Sequence, residues 1–564
     1  MLTPHRLPPR FVDQLAGGGG DDAVLTVLSD GQFSARLVAL RALLDEVSGR
    51  SLLLEVGEAW DLLVEAQRKS PGLVRETLLL PQVGVWLTDV LRSLRGTVES
   101  VAPLWVDVGH LRCVAVVAAH LSDLDFSLDV PVSRGVISLP SLGVATFPEV
   151  RTWAVARAER RAGVLSLSLG ARTIRVPDDE HWLPVRRIGA GGFTPLLDDV
   201  EPHRDYRAAT GLHRLTDVEV LHWEQRLREA WPLLRAEHAE ALRELVSTMV
   251  PVPPRNGGTP YSGSSADAYG AVLMSVPPDS FAFAETLTHE VQHTKLAALT
   301  TIEPLCTVGG SAYCYAPWRD DPRPVSGLFQ GVYAFLGVTD FWRAHRETDP
   351  SERADFEFAY WRGQTLHAAR FLRGCRELTA LGRRFATIMA VRLASWSRIR
   401  VGASAAHTAR AAAQDHRATW LARHLTPEPA AVEGLAEDWL AGRPRGKLPV
   451  SALTPRPASP LPRMELRHLL PRTPAGFPSD AFTGATAADL RHLAGDQDAA
   501  ARLYAADIAA HPDDVSAWIG LGLADPSSRA LLRVPAVVMA VHAEILRRTG
   551  EFPDPRVLAA WVGR

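Results

Sequence analysis

The sequence predicts an α+β protein, predominantly helical, with a separate antiparallel β region and a C-terminal helical module. Three observations predict it. Leucines recur at helical spacing near the start (Leu25, Leu28, Leu37, Leu40, Leu43, Leu44, then Leu62, Leu63, Leu78, Leu79). Residues 104–188 turn to Val- and Leu-rich alternation punctuated by turn residues. From Thr216 onward a period near 3.6 returns.

Taken in order, 1–103 reads as an N-terminal helical region, and the Gly17–Gly20 run before its leucines reads as a flexible joint. The next stretch, 104–190, reads as an antiparallel β-rich region. Val117-Ala-Ala-His-Leu, Phe126-Ser-Leu-Asp-Val and Val164-Leu-Ser-Leu-Ser-Leu are its candidate strands, with turns at Ser133-Arg-Gly and Asp178-Asp-Glu. Residues 191–425 form a third region. Leu221, Trp223, Leu227, Trp231, Leu234, Leu242 and Leu245 mark an apolar stripe over Thr216–Met249. The breaker cluster from Pro251 to Gly258 follows, then a strand over Ala268–Val276 and a helix over Phe281–Leu299, with helices continuing to about 424. Residues 426–479 read as a Pro-rich linker, nine prolines falling in 443–479. The last region, 480–564, is helical and Ala-rich, and Leu490–Asp496, Ala499–Ala510 and Ala517–Gly522 resemble one tetratricopeptide-type helix pair.

At 564 residues the chain exceeds a single typical core. A net charge of −3 gives no electrostatic footprint for nucleic acid or an anionic membrane. Cys113, Cys306, Cys314 and Cys375 form no CxxC pair and no cluster-binding run, so the sequence predicts a reducing, cytoplasmic setting without a disulfide framework. The apolar run Cys113–Ala119 is too short to span a bilayer.

The chemistry-bearing motif is His289-Glu290-Val291-Gln292-His293. Asp279 or Ser280 caps its helix, Pro304 lies beyond its end, and Ala284, Leu287, Val291 and Ala298 make the buried stripe. Two histidines four apart share one side of a helix, and neutral imidazoles in that relation chelate one Zn, Fe, Ni or Cu ion. Glu290 lies beside that ion as a base for bound water or as an orienting group. With a strand just before it, the arrangement is that of a zincin-like HExxH helix, the preceding strand taking the place of a substrate-aligning edge. The extension HxxGxxH is missing, since Leu296 and Leu299 stand where Gly and His are required. Downstream candidates for a third ligand are Glu303, Cys306, Cys314, Asp320, Gln330 and His345, each with an ordinary structural reading as well.

Thr288-His-Glu-Val-Gln-His-Thr-Lys-Leu-Ala-Ala-Leu, Tyr315-Ala-Pro-Trp-Arg-Asp-Asp-Pro-Arg-Pro and Gly327-Leu-Phe-Gln-Gly-Val-Tyr-Ala-Phe together resemble an actinobacterial family of HExxH-motif peptide-modification proteins. These accompany cyclophane-forming radical-SAM maturases of ribosomally made peptides, and the wider family comprises 2-oxoglutarate/HExxH-type peptide β-hydroxylases. The resemblance covers about 200–425, together with the stretch from His5 to Leu44. It implies His289 and His293 as iron ligands, with Arg319 or Arg323 on the 2-oxoglutarate carboxylate. Where family members carry His-Gly this chain has Gln330-Gly331, which implies Gln330 in the third-ligand position, a neutral amide and a weaker ligand.

The expected function is therefore Fe(II)/2-oxoglutarate-dependent β-hydroxylation of a precursor peptide, with Glu290 orienting ligands or relaying a proton. A radical-SAM maturase is the expected companion, and neither nucleic acid nor a membrane is an expected partner. The alternatives are a zinc metallopeptidase with Glu290 as general base and a non-catalytic partner of the leader peptide or maturase. His203-Arg-Asp205 lacks the companions of a kinase site, and Gly189-Ala-Gly-Gly192 reads as a turn. Tyr313, Tyr315 and Trp318 read as pocket-lining or core aromatics.

Overall fold

The computed structural model describes residues 5–208, 210–254, 260–307, 309, 313–457 and 484–564. The protein is α+β and 56% helical, with an antiparallel sheet of its own, as the sequence predicts. The chain divides into two compact units, Met1–Pro304 and Leu305–Arg564. That boundary falls inside the stretch 191–425, so the third region contributes to both units.

The first unit opens with helices α1 (Pro9–Ala16), α2 (Asp22–Val47), α3 (Gly57–Lys69), α4 (Pro71–Leu79), α5 (Pro81–Leu94) and α6 (Leu104–Leu121). Leu25, Leu28, Leu40 and Leu43 are buried, while Leu37 faces out. The last of these helices corrects the sequence reading: Val117-Ala-Ala-His-Leu is helix, not strand. Cys113–Ala119 is buried on every side, so the run carries no polar face, and an apolar run without a period cannot distinguish strand from helix. Arg112, 2% exposed, is accommodated in α6 by the carbonyls of Glu55 and Asp129 and the carboxylate of Glu58.

Strands β1 (Phe126–Ser133), β2 (Val136–Leu139), β3 (Gly143–Thr146), β4 (Trp153–Arg161), β5 (Val164–Leu169), β6 (Arg172–Val176) and β7 (Trp182–Pro184) form an antiparallel sheet. Its order is β6-β5-β4-β1-β2-β3-β7, with Phe126 opposite Arg160 and Ser133 opposite Trp153. The alternation is what α6 requires. Leu128, Val130, Val132, Leu165 and Leu167 are buried in the same hydrophobic cluster as α6, each contributing roughly 1.5–3 kcal/mol. Asp129 points the other way to Arg157 at 2.8 Å.

A second sheet positions the HExxH helix. It comprises β8 (Arg186–Arg187), β9 (Leu196–Leu197), β10 (Thr248–Pro251), β11 (Ser262–Gly263) and β12 (Ala271–Met274), in the order β11-β12-β10-β9-β8. Strands β9, β10 and β12 are parallel, whereas β11 and β8 run antiparallel at the two edges. Between the strands lie α7 (Asp217–Ala230) and α8 (Ala236–Leu245), and α9 (Ser280–Ile302) follows β12. The first is started by a capping box of Thr216 and Glu219. Its buried face is Trp223, Leu227 and Ala230, and Leu221, expected in the stripe, is 64% exposed.

The Gly17–Gly20 run is not a free joint. The Gly18 carbonyl accepts hydrogen bonds from Lys295 Nζ at 2.7 Å and Gln292 Nε2 at 3.2 Å, which fasten it to α9. Two helices, Asp22–Val47 and Leu104–Leu121, have the length and hydropathy of a membrane span. The apolar window of the second is 72% buried inside the protein, as the core helix under the antiparallel sheet.

The second unit contains the hairpin β13 (Tyr313–Cys314) and β14 (Arg323–Pro324), then α10 (Val325–Thr348), α11 (Glu352–Leu372), α12 (Ala380–Trp396) and α13 (Ala403–His424). After them come β15 (Leu425–Pro427), α14 (Pro429–Leu440) and β16 (Ser451–Leu453), which is paired with β15. The front of the expected linker is thus ordered structure. Its remainder over 458–479 lies outside the described residues, as do 255–258 of the breaker cluster. The chain ends in α15 (Ala487–Leu493), α16 (Gln497–Ala510), α17 (Val515–Ala524), α18 (Ala530–Arg533), α19 (Pro535–Thr549) and α20 (Pro555–Gly563). Tyr504, Ile508, Trp518, Leu521 and Val541 form their common core.

Candidate metal centre and anion-binding loop

Helix α9 begins where Asp279 Oδ1 accepts from Ala282 N at 2.7 Å, and Phe283, Ala284, Leu287, Val291, Ala298 and Leu299 fix its buried face. Helices α2, α7 and α8 pack on it. This packing leaves His289 and His293 half-buried on one side, their Nε2 atoms 3.1 Å apart and their rings at 73°. These two imidazoles are the residues that would hold a divalent ion here. Burial holds the His289 imidazole well below its ordinary pKa, and His293 adds to the effect, so the ring is in the neutral form that ligates.

Glu290 is 1% exposed. Its Oε1 accepts from Ser262 Oγ at 2.7 Å, while Oε2 is buried without a hydrogen-bond partner. A buried carboxylate oxygen without a partner, one residue along the helix from His289, fits a site that receives a further donor or an ion. Tyr206 and Tyr261 complete the surroundings, with hydroxyls 3.4 Å apart and the Arg207 guanidinium 4.8 Å from the Tyr261 ring centre. Burial, the Tyr261 hydrogen bond and the Glu290 charge together push the Tyr206 phenol well above its usual pKa, so it remains protonated as a donor. Gly263 makes room for both phenols: a Cβ there would lie 2.6 Å from the Tyr206 oxygen and 2.9 Å from that of Tyr261.

Sequence reasoning missed Tyr206, Tyr261 and Ser262, which no local pattern marks. The nearest signal was the discarded His203-Arg-Asp205. In it Arg204 binds the carbonyls of Glu201 and Gly211, Asp205 pairs with Arg207, and so Tyr206 is set in place. The Gly189–Gly192 run is the expected turn, closed by reciprocal hydrogen bonds between Ala190 and Phe193.

The expected edge strand needs correction. Strand β12, the observed part of Ala268–Val276, lies between β10 and β11 and is wholly buried, so its backbone is already paired. The edge strand beside it is β11, which carries Ser262.

In the second unit Arg319 and Arg323 both bind Asp321, Arg319 through Nε at 2.7 Å and Arg323 through a terminal nitrogen at 3.2 Å. Each guanidinium has five donors, so most remain for another acceptor, and both side chains are more than a third exposed. Gln330 is half-buried on α10. The loop and this helix meet through Trp318, whose indole occupies the space a Cβ of Gly331 would take, 2.2 Å away. Trp318 in turn stacks on Phe335 at 4.9 Å, and Phe335 on Trp361 at 4.2 Å. The Pro-Trp-Arg block and Gln330-Gly331, far apart as sequence signals, are thereby one packed assembly. Tyr313 is 51% exposed, so it is no core aromatic.

Among the described residues no three His, Cys, Asp or Glu side chains converge as a metal site requires. Glu303 caps the far end of α9, ten residues or about 15 Å of helix beyond His293, too far to share an ion with it. Cys306 bridges to Leu378, Cys314 donates its thiol to the Arg323 carbonyl at 3.2 Å, and His345 stacks on Phe341. No protein-family model matches the chain, and no curated protein matches it.

Proposed function

We propose that the chain is an Fe(II)- and 2-oxoglutarate-dependent hydroxylase acting on a side-chain β-carbon of a ribosomally made precursor peptide. The observation that carries this reading is the arginine fork. Two guanidiniums aligned by one carboxylate, with donors to spare, suit a dicarboxylate co-substrate. His289 and His293 are the residues that would hold the metal, and the resemblance adds Gln330. Bound iron supplies O₂ activation, one oxygen atom entering the peptide C–H bond and the other leaving in succinate as 2-oxoglutarate loses CO₂.

The chain's own residues prepare that chemistry. Glu290, fixed by Ser262, keeps one oxygen to accept a proton or hydrogen bond beside the imidazoles. The Tyr206 phenol, held in its protonated form, senses the Glu290 charge. Strand β11, terminal in its sheet, offers backbone groups to an extended peptide. A radical-SAM maturase acting on the same peptide is part of the proposal.

A second reading is favoured by one observation. The strand order that leads into α9, with an antiparallel edge strand touching the HExxH glutamate, also suits a zincin-like zinc peptidase with Glu290 as general base. The test is anaerobic reconstitution with Fe(II), followed by 2-oxoglutarate, O₂ and the co-encoded peptide. A mass gain of one oxygen with stoichiometric succinate is expected. Peptide cleavage with Zn and no succinate would overturn the hydroxylase reading.

A further inference from the structure

Helix α13 carries His416, Trp420 and His424 at one-turn intervals, and all three are buried, at 6%, 6% and 0% exposure. They face the loop that bears the two arginines. The Arg456 backbone amide can only donate, and it lies 3.1 Å from His424 Nδ1. That nitrogen is therefore the acceptor, and the ring proton resides on Nε2, which donates to the Asp320 carbonyl at 2.6 Å. His424 is thus neutral in a single tautomer, with both ring nitrogens engaged by the main chain.

Two turns earlier, His416 Nδ1 lies 2.7 Å from the Tyr315 hydroxyl and its Nε2 3.8 Å from Asp320 Oδ1. Trp420, between them, sets its ring edgewise to Tyr315 at 5.3 Å and against His424 at 5.2 Å. Asp320 is consequently held by α13 through its carbonyl, with the His416 ring facing its carboxylate at a longer distance. It sits between Arg319 and Asp321, the residue that aligns both guanidiniums. A neutral imidazole suits this task, since it grips the loop without adding a cation that would compete for Asp321.

The geometry points to His424, supported by His416, as a positioning residue for the carboxylate-binding pair Arg319 and Arg323. This rests on the hydroxylase reading for the identity of the anion, 2-oxoglutarate, but not for the brace itself. The comparison that tests it is H424Q against H424N in the full chain. The glutamine amide reaches the place of Nε2 and keeps the donor to Asp320, whereas the asparagine amide sits at the place of Nδ1 and loses it.

Two readouts are needed: steady-state kinetics in 2-oxoglutarate, and the rate at which phenylglyoxal modifies Arg319 and Arg323, followed by peptide mass spectrometry. H424N is expected to raise the KM for 2-oxoglutarate about tenfold with kcat within about twofold, and to speed labelling of both arginines, as loss of a buried hydrogen bond predicts. H424Q is expected to stay within about twofold of wild type in both. Equal behaviour of the two variants, or unchanged labelling in H424N, overturns the inference. Should wild type consume no 2-oxoglutarate, the hydroxylase reading fails and the labelling alone decides whether His424 braces the pair.

Discussion

Two helices of this protein carry paired histidines, and they use them in opposite ways. On α9, His289 and His293 are one turn apart and bring their Nε2 atoms within 3.1 Å of each other. On α13, His416 and His424 are two turns apart, and their ring nitrogens meet the Tyr315 hydroxyl, the Asp320 carboxylate and main-chain groups near Asp320 and Arg456. The first pair presents converging nitrogens, as an ion needs; the second fastens a loop. Spacing is the physical root of the difference. Four residues bring two imidazoles within chelating distance, whereas eight residues separate them by about 12 Å of helix, so they cannot share an ion.

Substitutions sharpen this contrast, the largest first. His289→Ala with His293→Ala should abolish Fe(II) retention after anaerobic reconstitution and lower turnover by about 10³-fold or more. Retained iron and activity in the double variant would place the metal elsewhere. Arg319→Ala or Arg323→Ala should raise the KM for 2-oxoglutarate by roughly ten- to a hundredfold, the scale of a charge-assisted hydrogen bond. Iron content should be unchanged, which separates the co-substrate group from the ligands; a fall in iron instead would merge them.

Gly331→Ala should lower stability by about 1–3 kcal/mol through overpacking against Trp318. A thermal melt reads it, and an unchanged midpoint would show that the indole moves freely. The mildest effect concerns a buried carboxyl that neither helix uses. Burial and the neighbouring Asp198 carboxylate push Glu201 from 4.5 up to about 8, opposed by Ser138 and Arg204. Between those values the folded chain keeps a proton that the unfolded chain has released, so stability falls as pH rises, by at most roughly 1.4 kcal/mol per pH unit. Glu201→Gln should flatten that slope in melts from pH 5 to about 8, and an undiminished slope would place its origin in another group.

The same contrast explains what was legible. The HExxH residues, their cap at Asp279 and their buried stripe are local, because a helix converts sequence spacing into position. The antiparallel strands were legible for the same reason, with a period of two against one core face. Helix α6 was not, since a segment buried on all sides has no face to alternate. The short edge strand β11 gave no pattern at all, and its neighbour β12 took the role in the sequence reading. The Asp321 ion pair of Arg319 and Arg323 and the anchorage of its loop to α13 came only from the structure.

The sequence by itself determined the α+β class and the capped helix that pairs His289 with His293 and places Glu290 next to His289. Each follows from periodicity or from neighbours within a few residues. Only the tertiary structure decided which oxygen of Glu290 is engaged, that Tyr206 and Tyr261 stand over Gly263, that Gly18 is fastened to α9, and that His424 holds Asp320. Most of those contacts join residues tens to hundreds of positions apart. They arise because burial forces each polar group to find a partner wherever the packed chain supplies one.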